Sequence, residues 1–176
     1  MFEHHFESHA EVAASPGELF EELDDQERLS GHMMKSSAMM AGSAMRFEFD
    51  EQDGRAVGSR MRLYGTMLGL RLEVTEAVTE RDPPRRKVWQ TVEEPHLLVI
   101  GHYRMGFEIE PRPAGSRLKV FIDYDNPAGP WRVAGKLLGG IYARWCTRNM
   151  VSGAVARFAK NRATGEPVSN SPDLPR

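Results

Sequence analysis

Histidines near the start of the chain are the first candidates for chemistry, because they alternate with glutamates. His5 and His9 lie on one face of a predicted strand, with Glu7 between them. Imidazole and carboxylate groups are common ligands of transition metals. Positions four residues apart in a strand are separated by about 13 Å, too far for both imidazoles to bind one ion. We therefore interpret this row as a polar strand face, and we predict no metal site and no cofactor.

Motifs of nucleophilic and nucleotide-binding sites are missing from the sequence, including GxSxG, GxGxxG and GxxxxGK[ST]. The single cysteine, Cys146, has no CxxC partner and lies in a predicted helix, which favours a small core residue. His102, Arg104 and Asp123 are candidates for acid–base work, but alternation places them on the outer face of their strands. We assign no catalytic residue from these groups.

Three tyrosines, Tyr103, Tyr124 and Tyr142, are predicted to point inward. A buried phenol normally finds a hydrogen-bond partner, so each is either a satisfied core residue or a polar anchor in an apolar pocket. The chain also has ten methionines, and five of them lie within residues 33–45. Methionine lines adaptable apolar sites and also fills gaps in cores, so this cluster supports both interpretations.

The order of hydrophobic periods predicts the elements that would position these groups. The predicted order is a strand, two short helices, six more strands and one long helix over about Trp131 to Lys160. Ser15-Pro16-x-Glu18 predicts a capping box at the first helix start. The predicted inner stripe of the long helix is Ala134, Leu138, Ile141, Trp145 and Met150. The register around Val88 and Trp89 is left open, because both compete for the inner face.

Composition sets outer limits on function. The chain has 176 residues, a net charge of −2 and one cysteine, which fits one domain without a disulfide framework. The run Arg85-Arg86-Lys87 is interpreted as a solvated strand start, so we predict no nucleic-acid partner. No apolar run reaches the length of a membrane span, and we expect a cytoplasmic protein. We expect residues 161–176 to form a flexible tail.

Two segments carry a resemblance to a known superfamily. Residues 12–25, with Ser15-Pro16 between a strand and a capped helix, resemble the entry of the helix-grip fold in the START-like (SRPBCC) superfamily. Asp123-Tyr124-Asp125, before a proline-rich break and a long helix, resembles its exit. The resemblance covers about Glu3 to Lys160. It implies an α+β helix-grip fold, in which a curved antiparallel sheet of about seven strands wraps on the long C-terminal helix, and a single domain over residues 1–160.

The predicted function is binding of a hydrophobic or amphipathic small molecule in a cavity between the sheet and the long helix. The predicted lining, with Met33 and Met45 near the mouth, is Met33, Met45, Met61, Leu63, Met67, Leu72, Tyr103, Met105, Tyr124, Ile141, Tyr142 and Trp145. One alternative is an aromatase/cyclase-like enzyme that abstracts protons with Tyr or His. A second is an interaction protein whose core is closed by its own side chains. The sequence names neither the ligand nor the oligomeric state.

Overall fold

The computed structural model of the chain describes residues 1–29, 45–67 and 69–164. The strands are β1 (His4–Val12), β2 (Met45–Phe49), β3 (Arg60–Met67), β4 (Leu70–Asp82), β5 (Arg86–Thr91), β6 (Tyr103–Arg112) and β7 (Gly115–Tyr124). The helices are α1 (Pro16–Asp24), α2 (Gln26–Leu29) and α3 (Arg132–Thr164), and a 3-10 turn at Gly129–Trp131 precedes α3. Among these residues, no helix is both long and apolar enough to cross a bilayer.

All seven strands form one antiparallel sheet with the order β1-β7-β6-β5-β4-β3-β2. Strands from β2 to β7 are joined as a meander, and β1 closes the order by pairing with β7 over its whole length. The C-terminal helix α3 contacts mainly β1 and β7. This arrangement confirms the predicted α+β helix-grip fold of seven strands and a long C-terminal helix.

Strand alternation separates the two faces of the sheet, as the sequence predicts. Buried apolar side chains of the inner face, joined by the buried face of α1, form one continuous core. In β6 and β7 these side chains are Met105, Phe107, Ile109, Leu118, Val120 and Ile122. Leu19, Phe20 and Leu23 of α1 are also buried, and the Phe20 ring lies 5.5 Å from the Phe107 ring.

The start of α1 follows the predicted capping box. The backbone N–H of Glu18 donates to the Ser15 hydroxyl, and the Ser15 N–H donates to the Glu18 carboxylate at 2.9 Å. The two bonds satisfy N–H groups that have no partner inside a helix. The sequence therefore fixes where the chain leaves β1 and turns across the inner face.

Two sequence predictions of extent and register need correction. Val99 and Gly101 were predicted to belong to a strand, but β6 begins at Tyr103, and the Gly101 N–H donates to the Asp125 carbonyl instead. The open register of β5 is resolved by its pairing, which places Trp89 opposite Val78 and Met105 on the inner face. Val88 lies on the opposite face and is nevertheless buried.

The predicted inner stripe of α3 is partly wrong. Leu138 is exposed, and Ile141 is 55% exposed. Small residues at intervals of four, Gly135, Gly139 and Ala143, turn inward in the first half of the helix. A Cβ atom at Gly135 would lie 2.2 Å from Pro127 Cδ. Backbone contact decides which face is buried here, and a pattern of apolar side chains does not reveal it.

Lys87 also differs from its predicted role as part of a solvated strand start. Its side chain is fully buried, and its ammonium group donates to the Asp24 carbonyl at 2.8 Å and lies 2.9 Å from Asp24 Oδ1. Arg81 binds the other carboxylate oxygen at 2.8 Å. Burial by itself would raise the pKa of Asp24, but Arg81 and Lys87 outweigh burial and hold it below its ordinary value. This cluster ties the end of α1 to β4 and β5.

We expect Lys87→Met to lower the free energy of unfolding by about 3 kcal/mol, because it leaves a buried carboxylate short of a partner. Lys119→Met is the matched control, since Lys119 pairs with Glu108 on the outer face. It should lower the same free energy by less than about 1 kcal/mol. Urea unfolding followed by circular dichroism measures both. Equal losses would show that the buried pair has no special role.

Candidate functional site

Glu76 is the chemically distinctive residue of the inner face. It follows Leu72 and Val74 in the alternation of β4, lies opposite Met61 and Thr91, and is 2% exposed. The Tyr103 hydroxyl donates to its carboxylate. An ionisable carboxyl group is thus enclosed among apolar side chains and held by a phenol from the second strand along.

Burial dominates the electrostatics of Glu76. It raises the pKa of the carboxyl group to about 7, although the hydrogen bonds from Tyr103 and Trp89 and the charge of Lys87 act in the opposite direction. Loss of hydration disfavours the charged form of an acid, and no cation from the described residues is bonded to this carboxylate to restore the balance. Glu76 is therefore poised to gain or lose a proton near neutral pH.

Two further polar groups approach from α3. Tyr142 and Cys146 lie one turn apart on the helix and are hydrogen-bonded to each other. Burial raises the pKa of both the Tyr103 and Tyr142 phenols, and it raises the pKa of Cys146 to about 12. The Cys146 thiol therefore stays protonated and is not a nucleophile at neutral pH. We call Glu76, Tyr103, Tyr142 and Cys146 the interior polar cluster.

The predicted lining residues fall into three groups. Met61, Leu63, Leu72, Tyr103, Met105 and Tyr124 are buried on the inner face, and Tyr142 and Trp145 pack partly buried against the core. Met33 lies outside the described residues, and for Met45 and Met67 only the backbone, in β2 and β3, is described. Ile141 is the exception, because its exposure removes it from an interior lining.

The acid–base candidates predicted on the outer face do lie there. His5 Nδ1 is 2.7 Å from Asp123 Oδ1, and Arg104 binds the other oxygen of Asp123 at 2.7 Å. The hydrogen bond to Asp123 raises the pKa of His5. The His102 ring contacts Thr91 and Glu94. Within the described part of the chain, no group of three or more His, Cys, Asp or Glu residues is arranged to hold a metal ion.

Two surface grooves lie along the edge strand β1 where it faces α3. One, of about 650 Å³, is lined by Phe6, Glu7, Ser8, His9, Ala10, Arg148, Val151, Ser152, Val155 and Ala156. The other, of about 610 Å³, is lined by Glu3, His4, His5, Phe6, Tyr124, Lys136, Leu137, Gly140, Ile141 and Arg144. Both differ from the interior cavity predicted from the sequence. That cavity stays a prediction, because its predicted mouth at Met33 is outside the described residues.

Comparison with known proteins identifies the family. A sequence model of the family described as polyketide cyclase / dehydrase and lipid transport matches residues 3–161. The chain belongs to this family. No curated protein sequence matches it. Membership in the polyketide cyclase/dehydrase and lipid transport family agrees with the SRPBCC resemblance in the sequence.

Solved structures share the fold of this family member at low identity. Zhui aromatase/cyclase from Streptomyces sp. R1128 superposes with a TM-score of 0.65 at 14% identity, covering 94% of this chain and 99% of that one. Norcoclaurine synthase from Thalictrum flavum gives 0.59 at 18% identity, covering 89% and 87%. The protein TTHA0849 from Thermus thermophilus gives 0.61 at 16% identity, covering 89% and 98%.

Glu76 is the residue that sequence reasoning missed in this family member. The predicted alternation in β4 ended at Thr75, whereas the strand continues to Asp82. Extending the same period by two positions places Glu76 between Val74 and Val78, both of which are buried. The signal was present, but a charged residue was taken to mark the end of the inward row.

Substituting Glu76→Gln should reveal the pKa of about 7 as a stability effect. The folded-state pKa lies above the ordinary value of 4.5, so between these two pH values the unfolded chain loses a proton that the folded protein keeps. The stability that the neutral acid contributes is therefore complete below the lower value and lost as the pH rises through the upper one. Relative to Glu76→Gln, the wild type should lose about 3 kcal/mol over this window.

Urea unfolding at a series of pH values measures this difference. Glu51→Gln is the control, because Glu51 is exposed in the turn after β2. Its unfolding curves should follow those of the wild type at every pH. Parallel behaviour of the wild type and Glu76→Gln would contradict a carboxyl group that stays neutral up to pH 7.

Proposed function

We propose that the protein binds a hydrophobic or amphipathic small molecule between the inner face of the sheet and α3. The observation that carries the proposal is the interior polar cluster, an ionisable carboxyl group and two phenols within an otherwise apolar core. Pockets for small molecules are mostly apolar, with a few convergent polar groups that orient the ligand. The description of the family, which includes lipid transport, points to the same class of ligand.

The energetics of Glu76 support a role beyond folding. An apolar side chain at this position would fill the core without the free-energy cost of removing a carboxyl group from water. The neighbouring cluster of Asp24, Lys87 and Arg81 shows how this fold neutralises a buried charge when the charge serves structure. Glu76 has hydrogen bonds but no bonded cation among the described residues. A carboxylate offers about four lone-pair sites, so it can still accept a hydrogen bond from a ligand group.

The chemistry of the cluster suggests what the polar end of the ligand is. Below pH 7 the neutral acid donates a hydrogen bond to a carbonyl or hydroxyl oxygen, and above it the carboxylate accepts one from a hydroxyl. Met61, Leu63, Leu72 and Met105 would surround the apolar part. An isoprenoid, sterol-like, fatty acyl or polyketide-like molecule with an oxygen at one end fits these requirements. The expectation of a cytoplasmic protein belongs to this proposal.

Titration with retinol, a fluorescent isoprenoid alcohol, tests the binding proposal. Tyr103→Phe and Tyr142→Phe each keep the ring and remove a hydroxyl, so affinity should fall by several-fold, the equivalent of about 0.5–1.5 kcal/mol per neutral hydrogen bond. Tyr64→Phe is the matched control, because Tyr64 lies on the outer face beside Arg62. It should leave affinity unchanged.

Native mass spectrometry of the purified protein, with extraction of bound molecules, would identify a natural ligand. If neither tyrosine variant changes retinol affinity, these phenols are not part of the binding site. A lower melting temperature with unchanged affinity would support a closed core, as in an interaction protein.

A second function, proton-transfer catalysis, is favoured by one observation, the pKa of about 7 at Glu76. A general base is most effective when its pKa lies near the working pH. The Glu76 carboxylate would take a proton from a carbon beside a carbonyl group, and the electron pair would move to the carbonyl oxygen to form an enolate. This function corresponds to the cyclase alternative, with Glu76 in place of a Tyr or His base.

Exchange of deuterium into β-tetralone, followed by nuclear magnetic resonance, tests the catalytic function. The wild type should accelerate exchange at the carbon beside the carbonyl, and Glu76→Gln should abolish the acceleration while retaining retinol binding. Exchange at the solvent rate with the wild-type protein would leave binding as the sole function.

A further inference from the structure

An apolar stripe is exposed on the first half of α3. Val133, Leu137 and Ile141 follow one another at intervals of four residues and therefore lie on one side of the helix. They are 67%, 71% and 55% exposed. Trp131, in the turn before the helix, is also exposed, as is Leu138. Contiguous exposed apolar side chains of this kind mark an interaction surface.

The charges of α3 are of one sign. The helix carries seven basic residues, Arg132, Lys136, Arg144, Arg148, Arg157, Lys160 and Arg162, and no Asp or Glu. The whole chain, by contrast, has a net charge of −2. Arg144 and Arg148 continue the row of Val133, Leu137 and Ile141 toward the C-terminus, and Lys136 lies on one flank of the row. The apolar stripe is thus bordered by cations on its own helix.

We propose that this side of α3, from Trp131 to Arg148, docks on an anionic lipid bilayer surface. Apolar side chains beside cations suit the boundary between acyl chains and anionic headgroups. Tryptophan favours the same boundary, because its ring is apolar and its N–H is polar. The surface docks by a helix lying in the plane of the bilayer, and no part of it crosses the membrane.

A second copy of the chain fits this surface less well. In a two-fold contact the same patch meets itself, so Lys136, Arg144 and Arg148 would face the same cations of the other copy. Acidic groups near the stripe come from β1, where Glu3 lines the adjoining groove. Glu3 already accepts a hydrogen bond from Asn126 at 2.7 Å. The charge on this side therefore complements an anionic partner.

Docking would place the bilayer against the helix that also bears Tyr142 and Cys146 on its inward side. A molecule leaving the membrane would then meet the wall of the interior polar cluster. The docking surface does not depend on that cluster, since none of its side chains belongs to it. Failure of ligand binding and failure of membrane docking are consequently separate results.

Flotation of the full chain with vesicles tests the proposal. Vesicles of equal parts phosphatidylcholine and phosphatidylglycerol should capture the protein, and vesicles of phosphatidylcholine alone should capture much less. Leu137→Glu should reduce capture at least about tenfold, because it removes a buried apolar contact and adds a repelled charge. Val57→Glu is the matched control, since Val57 is 62% exposed on the turn between β2 and β3, and it should leave capture unchanged.

A charge variant tests the electrostatic part separately. Arg148→Gln should lower capture about fivefold, whereas Arg117→Gln, on an exposed position of β7, should have little effect. Thermal melts of all variants confirm that they are folded. Absence of wild-type capture by anionic vesicles would overturn the proposal, as would equal effects of Leu137→Glu and Val57→Glu. A wild-type dimer in analytical ultracentrifugation that Leu137→Glu converts to a monomer, without vesicle capture, would assign the stripe to self-association.

Discussion

The two-residue period of β4 is the constraint on which the interior of this protein depends. Glu76 occupies an inward position between Val74 and Val78, and all three are buried. The strand cannot turn the carboxyl group to solvent without also exposing its apolar neighbours, each of which contributes about 1.5–3 kcal/mol through burial. The carboxyl group therefore stays inside, and the fold supplies Tyr103 and Trp89 as its hydrogen-bond partners.

The two buried acids of the core show contrasting electrostatic solutions. Asp24 has an ammonium and a guanidinium group within hydrogen-bond distance, which keeps it ionised and fixes the end of α1. Glu76 has neutral donors and feels Lys87 only through its charge at longer range. The first arrangement is closed to further partners and stabilises the fold. The second leaves the protonation state adjustable near neutral pH, as expected of a group that meets a ligand.

Local patterns in the sequence predict the elements of this fold well, and they predict the site only in part. Ser15 and Glu18 are three residues apart, so their capping box is visible without knowledge of the rest of the chain. Lys87 and Asp24 are separated by 63 residues, and no local pattern reveals that a lysine will be buried by such a partner. Ile141 was placed inside because apolar residues were expected to define the inner face of α3, whereas glycines define it. Long-range partners and backbone contacts are the information that one sequence does not display.

The glycine contacts at the start of α3 act as a mechanical stop. At Gly139 even a methyl group would lie 2.9 Å from the Val99 carbonyl, so the helix backbone already touches the loop before β6. The helix has no room to move closer to the sheet at this end. Any displacement of its first half is therefore outward, and the interior between sheet and helix can widen from its resting size but cannot contract.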